Sequence, residues 1–424
     1  MMKIDHRIII AAAVAIVIVI AGAAVILTED RSKDGGDDNT PDGETITVTD
    51  FLGRTVEVPT NLDDGIVTVG KLGSVRMLSY FDEGMQNLKM VDLVIKTETV
   101  NAPSGLTYAY IDEYRDIISK AQTHETDNIS SADYENIGKL SPSLIIVNDT
   151  TYNSCKDVCD NLAEHFALVV IDDMGGYDTT PFWTEDYKLT EEFKATFELM
   201  GKVLGDTERA NEIISGFEKI LGEISELRGE TTDVKGYVTG IPYRGLNDLL
   251  SVFPNNIALT INGVDSAVPA GSANQVMNQL ASAEELSKYD ITDVFIDPST
   301  YVKINTPNSQ NALKYIHSIN GDSDPDNDIR VHIILPAVSV GTTWETTLLN
   351  AYYVSDLAYG HDMTDVQLQE KYGSILSVFY GDRASGALED MQKFYDSVGG
   401  GNEYSLLNEV AVSVDNDKFV LVEI

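Results

Sequence analysis

Nine side chains have types and positions suited to holding a ligand. Tyr108 and Tyr110 follow the loop Pro103-Ser104-Gly105, Tyr152 follows a strand end at Asn148, and Tyr177 and Trp183 lie in GGYDTTPFW. Further along, Tyr243 and Arg244 follow Gly240, Tyr301 follows Asp297, and Trp344 sits in VSVGTTWE. Aromatic rings offer a large contact area with few torsions to freeze, and a guanidinium grips a carboxylate or anionic chelate through paired hydrogen bonds. Such a set binds rather than reacts. The same rings could instead pack loops onto a scaffold. Trp344, Tyr243 and Arg244 are favoured as ligand contacts because loops beyond strand ends are where α/β sheets bind.

Metal and catalytic patterns are weaker. The six histidines, at 6, 124, 165, 317, 332 and 361, show no pairing at ligand spacing, which argues against a receptor for bare zinc or manganese. Asp322, Asp324, Asp326 and Asp328 alternate in GDSDPDNDIR like the start of a calcium loop. Asn327 stands where that loop needs glycine, and Ile333 where it needs the bidentate Glu, so a solvated acidic turn fits better. Cys155 and Cys159, the only cysteines, sit four apart on an expected helix. They could oxidise outside a cell, although a disulfide within one helix is strained; with His165 they make a poor metal set. No GxSxG, HExxH or P-loop occurs, and no intrinsic cofactor or enzymatic activity is expected.

The elements that position these residues follow from apolar periodicity. ITVTDFLGRTVEVP reads as a hairpin turning at Gly53. Strands are expected at 66–69, 90–95, 144–147 and 168–171, and again at 234–238, 293–296 and 331–335, with helices at 74–81, 154–166, 346–359 and 364–379. Apolar strands separated by helices imply mostly parallel sheets. Between the two groups, Phe193, Phe197, Met200 and Leu204 form one helical stripe that Gly205 ends. Ile213, Phe217, Ile220, Ile224 and Leu227 form a second, roughly 33 Å long, which reads as a strut between two lobes. The expected division is an N-terminal lobe at 46–205, an interlobe helix at 206–229, a C-terminal lobe at 230–400, and a tail hairpin at 401–424 with Asn416 in its turn.

The start of the chain carries its address. Lys3, His6 and Arg7 precede an apolar run at 8–27, long enough for a hydrocarbon core of about 30 Å. Ala21-Gly22-Ala23 could serve as a cleavage site. Otherwise residues 1–7 face the cytoplasm, 8–27 span the cell membrane once, 28–45 form a flexible acidic tether, and the rest lies outside the cell. The 424 residues carry a formal charge of -39, which repels phosphate backbones and excludes nucleic acid as a partner.

ITVTDFLGRTVEVPTNLDDGIVTVG, KLSPSLIIVND, LGDTERANEIISGFEKIL and TTLLNAYYVSDLAYG, the last followed by a helix ending in FYG, together resemble the substrate-binding proteins of ABC importers for ferric siderophores, haem and cobalamin. The last of these resembles the C-terminal part of archaeal members described as iron-complex binders, and the resemblance as a whole covers residues 46–381. Asp64-Gly65 departs from the basic residue common before the first strand of that family, and the segment after Gly399 looks like an addition. The resemblance implies two Rossmann-like α/β lobes joined by one rigid helix, the class III binding-protein architecture, with the ligand between strand-end loops. It implies an extracytoplasmic receptor that delivers an iron chelate or similar metal complex to an ABC permease and its ATPase. Alternatives are a cobalamin or haem receptor, or a surface interaction or sensor protein that kept the fold without transport.

Overall fold

The computed structural model describes residues 44–101, 103, 105–125, 129–172, 181–272, 275–321, 328–361 and 363–424. The apolar run at 8–27 lies outside them, as does the tether up to residue 43. No helix among the described residues is long and apolar enough to cross a membrane.

The hairpin forms as β1 (Thr45–Thr49) and β2 (Thr55–Pro59), with Gly53 at φ 76° in its turn. Asp50 fastens it, accepting from Arg54 Nε at 2.9 Å and from the amide of Val170 at 3.2 Å. A parallel sheet follows: β3 (Ile66–Val69), β4 (Leu88–Asp92), β5 (Gln122–His124), β6 (Leu144–Asn148) and β7 (Leu168–Ile171). Their order is β5-β4-β3-β6-β7, so the winding reverses between β3 and β6. Alternate residues feed two cores, Ile66, Ile146 and Val169 into one and Val67, Ile145 and Val170 into the other. Burial on both faces is why these strands read as unbroken apolar runs. The strand expected at 90–95 ends at Asp92, whose carboxylate accepts the amide of Val94 at 2.7 Å and starts the helix Leu93–Asn101.

The second sheet holds β8 (Lys235–Thr239), three two-residue strands β9 (Ser251–Val252), β10 (Asp265–Ser266) and β11 (Asn278–Gln279), then β12 (Asp293–Ile296), β13 (Arg330–Ile333), β14 (Asn408–Asp415) and β15 (Lys418–Glu423). It is ordered β11-β9-β8-β12-β13-β14-β15, with β10 against β8, and is parallel through β8, β12 and β13. The C-terminal hairpin turns on Asn416 and Asp417, both with positive φ, and pairs antiparallel with β13. It therefore extends the sheet of the second lobe.

Between the sheets runs the helix Thr207–Leu227, 21 residues, about 32 Å long. Gly205, at φ 72°, ends the preceding helix Glu191–Val203, and Asp206 caps the new one by accepting from the amide of Arg209 at 3.0 Å. The two helices cross closely: a Cβ on Gly201 would come within 2.6 Å of the Ala210 Cβ. Arg209 then reaches both lobes, donating to the Tyr80 carbonyl at 3.1 Å and to the carbonyls of Val378 and Phe379 at 2.8 and 2.7 Å. At the far end His361 Nε2 meets the Leu227 carbonyl at 2.6 Å.

The buried stripe of this helix includes Ile213, Phe217, Ile220 and Ile224. Phe217 is the hub, with ring centroids 5.4 Å from Phe182, 5.5 Å from Phe193 and 5.6 Å from Phe379. Truncating a fully buried Phe leaves a cavity and removes such contacts, about 3–5 kcal/mol. Phe217→Ala should lower the unfolding free energy by that amount, seen as a lower urea midpoint at an unchanged m-value; a loss below about 1 kcal/mol would show that the helix is not the mechanical link between the sheets.

Candidate functional site

The strand ends of both lobes meet at one seam. On the first lobe the helix Ser74–Ser79 carries Arg76, which is buried and donates to the carbonyls of Thr342 and Ser339 at 2.8 and 2.6 Å. Tyr80, just beyond, donates to Glu345 at 2.8 Å, and Tyr380 donates to the other Glu345 oxygen at 2.6 Å. Burial, and next the charge of Glu345, push both phenols well above the usual tyrosine range. Gly105 lies against the second lobe so closely that a Cβ there would stand 2.7 Å from the Ser339 Cβ and 3.1 Å from the Pro336 Cβ.

Two loops of the second lobe hold backbone strain beside this seam. After β8, Gly240 is required because a Cβ would meet the Asp297 carbonyl at 2.8 Å. Tyr243 and Leu246 then close a tight turn whose central residues, Arg244 and Gly245, have φ of 51° and 79°. After β13, Val340 has φ 44° and Gly341 φ 103°. Positive φ costs an L-residue about 1–2 kcal/mol, more for a β-branched one, and such strain clusters at functional sites. Between the two loops lies a cavity of about 60 Å³, lined by Ile241, Phe253, Ile257, Ala337, Val338 and Thr342 among others. Asp297 is wholly buried beneath them and accepts from the amides of Ser299 and Ala337 at 2.9 and 3.1 Å. Burial outweighs those two bonds and pushes its carboxyl up to about 7.

The nine sequence candidates divide sharply. Tyr108 and Tyr110, expected on an open loop, are 1% and 5% exposed, packed on the short helix Thr107–Tyr110. Tyr152 is buried on the helix Asp149–Ser154 and turns to the hairpin side, donating to Asp160 at 2.5 Å with the Arg54 guanidinium 4.8 Å from its ring. Trp344 opens the helix Trp344–Tyr359 and is 4% exposed, wedged 4.8 Å from Phe182 and 4.9 Å from Phe193. These four are buried as the protein stands. Trp183, half-buried, joins the same cluster 5.0 Å from Phe182. Tyr243 and Tyr301 are half-buried, and Arg244 is exposed with its guanidinium 5.2 Å from the Tyr243 ring. Tyr177 lies outside the described residues.

Of the acidic turn, Asp322, Asp324 and Asp326 also lie outside the described residues, and Asp328 is exposed. Cys155 and Cys159 are free buried thiols with Sγ atoms 3.6 Å apart. The chain breaks at Cys155 (φ -127°, ψ 40°) between two short helices, so the pair does not sit in one regular helix. Among the described residues no three His, Cys, Asp or Glu side chains converge as a metal ion requires. His332 instead bonds Asp293 at 2.9 Å and Tyr353 at 3.1 Å, and His124 bonds the Thr68 carbonyl at 2.9 Å. Arg76 and Glu345 were missed as seam residues; each is a lone charge inside an apolar helical run, SVRMLSYF and TTWETTLL.

The architecture is mixed α/β: a wholly parallel first sheet, a second sheet parallel only at its centre and antiparallel toward both edges, contrary to the mostly parallel expectation, and one long helix between them. The chain is similar over 84% of its length to all of a periplasmic solute-binding protein from Veillonella parvula, at 16% identity and a TM-score of 0.55. It is similar over 79% to 98% of the molybdate periplasmic binding protein MolA of Haemophilus influenzae, at 14% identity and a TM-score of 0.54. An ABC transporter solute-binding protein from Sulfurospirillum deleyianum aligns over 79% of this chain and 95% of its own, at 15% identity and a TM-score of 0.52. No protein-family model matches the sequence, and no curated protein matches it.

The raised carboxyl of Asp297 gives the fold a pH signature. The folded state holds this proton where the unfolded chain, near 3.9, has lost it. The contribution is therefore fully present below about pH 4, falls as pH rises toward 7, and is flat above, a span of up to about 4 kcal/mol. The stability of wild type measured relative to Asp297→Asn should fall from pH 5 to pH 8 in urea titrations, because only the wild type loses this contribution; a constant difference would mean that the carboxyl titrates normally.

Proposed function

We propose that this chain is an extracytoplasmic solute-binding protein that captures an iron chelate of siderophore type, or a similar metal complex, and presents it to an ABC permease and its ATPase. It binds its cargo and performs no chemistry on it. The apolar run at 8–27 would hold it to the cell membrane with the two lobes outside. The single observation that supports this reading is the seam between the two sets of strand ends, together with an exposed Arg244 in positive φ whose guanidinium lies 5.2 Å from the Tyr243 ring on a loop after β8. An exposed guanidinium against a ring suits an anionic, ring-bearing complex. A haem or cobalamin receptor would use the same place.

A second reading, a surface interaction or sensor protein that kept the fold without transport, is favoured by another observation. Tyr108, Tyr110 and Trp344 are core residues, and the cavity at the strand ends, about 60 Å³, is far below the roughly 300–1,000 Å³ of ligand sites. Cargo of chelate size would have to displace something.

Trp183 and Trp344 flank Phe182, so intrinsic fluorescence reports on one cluster beside the seam. The full chain should show saturable quenching at micromolar or lower concentration with one class among ferric hydroxamates, ferric catecholates, ferric citrate, haem and cobalamin. Arg244→Gly should weaken that binding at least about tenfold while raising stability by about 1 kcal/mol, because glycine relieves the positive φ. A flat response from folded protein across the panel would remove the import reading in favour of the interaction protein.

A further inference from the structure

The helix Ala387–Val398 crosses the seam. Just before it, Arg383 pairs with Glu113 at 3.1 Å and with Asp82, both on the first lobe. Within it, the Phe394 ring lies 6.3 Å from Tyr110 of the first lobe and 6.0 Å from Tyr301, on the segment Pro298–Val302 that leaves the end of β12 in the second. Tyr395 lies 6.2 Å from the same Tyr301. After the helix the chain returns to the second sheet, where the Leu407 amide donates to the Ile333 carbonyl at 2.7 Å.

This helix is amphipathic and flanked by glycines. Ala387, Met391 and Tyr395, four residues apart, are buried, while Lys393 and Asp396 on the other side are exposed. Glycines in positive φ bracket it: Gly381 and Gly386 before, Gly400 and Gly401 after. They let the flanking chain swing without steric penalty. The contacts that hold it are this buried face, the ring edges of Phe394, the bonds of Gln392 to the Tyr404 carbonyl at 2.7 Å and from the Leu406 amide at 2.8 Å, and an exposed ion-pair cluster worth little by itself.

We propose that the helix Ala387–Val398 is a built-in occupant of the binding mouth, a strap whose Phe394 and Tyr395 stand where cargo would lie and which must swing out on its glycine hinges before a ligand enters. The proposal rests on the solute-binding reading. It accounts for the cover over two rings, one from each lobe: Phe394 lies against both Tyr110 and Tyr301. Opening would offer both to an aromatic chelate beside the turn of Arg244, which Asn247 ties to Ser299 at 2.8 Å.

Hydrogen exchange on the unliganded full chain tests the opening without any ligand. Amides of Met391–Val398 should exchange at least about 100-fold faster than those of Ile213–Ile224 in the connecting helix. Phe394→Ala should speed the strap a further tenfold or so and leave the connecting helix unchanged. Strap amides as slow as the connecting helix would overturn the proposal. Binding provides the second arm, with ferric tricatechol and ferric citrate as probes. Because apparent affinity scales with the open fraction, Phe394→Ala should tighten binding by about the factor by which strap exchange rises. Faster exchange with unchanged or weaker binding would also overturn it. If neither probe binds either protein while the strap opens alone, the iron-chelate reading fails and the strap stands on its exchange.

Discussion

The relation between the two lobes depends on one buried carboxylate. Glu345 is fully buried at the start of a helix of the second lobe, yet one of its oxygens takes the Tyr80 hydroxyl of the first. Burying a charge costs several kcal/mol unless its lone pairs are met. Two phenol donors meet them, each worth about 1.5–3 kcal/mol to a charged acceptor. Arg76 crosses in the same sense, its two donors ending on carbonyls of Ser339 and Thr342. Separating the lobes would break the Tyr80–Glu345 bond and both Arg76 bonds together, so these three contacts resist opening as a set.

That constraint explains the placement of strain and of glycine. Because the lobes touch, Gly105 can carry no Cβ, and the loop facing it turns on Val340 and Gly341, both with positive φ. The connecting helix reinforces the arrangement, since Arg209 bonds one lobe's Tyr80 carbonyl and the other's Val378 and Phe379 carbonyls from a single side chain. What remains adjustable lies at the rim: the turn carrying Arg244, the half-buried Tyr243 and Tyr301, and the strap that covers the latter.

The architecture was legible where burial imposes a period. IVTV, LIIV and LVVI read as doubly buried strands, the Ile213–Phe217–Ile220–Ile224 stripe gave the connector, and the hairpin around Asn416 formed where alternation placed it. The site was harder because it depends on long-range closeness that leaves no period. Tyr108 reads as a loop residue although it is buried on a short helix, and Trp344 reads as loop until the helix begins on it. Arg76 and Glu345 were hidden by the opposite effect, single charges that look like interruptions of an apolar face. The strap did carry a signal, Ala387, Met391 and Tyr395 at helical spacing between glycines, but nothing local to it says which surface it covers.

The energies decide which part should move. Opening the seam breaks the two bonds of Arg76 and that of Tyr80 to Glu345, about 1.5–3 kcal/mol each, or roughly 5–9 in charged hydrogen bonds alone. It also parts Trp344 from Phe193, whose edge contact adds about 0.5–1.5 kcal/mol beyond the apolar surface exposed. Swinging the strap uncovers Met391, Tyr395 and part of Phe394 at about 1.5–3 kcal/mol for each full side chain, and the exposed pairs of Arg383 add at most about 1 kcal/mol apiece. The strap total thus only reaches what the seam's hydrogen bonds cost before its aromatic surface is counted. A ligand that replaces the strap's rings with its own recovers most of the first cost. No ligand in the mouth could satisfy Glu345 and Arg76 at their buried positions. The cheaper route to a loaded protein keeps the lobes locked and moves the helix.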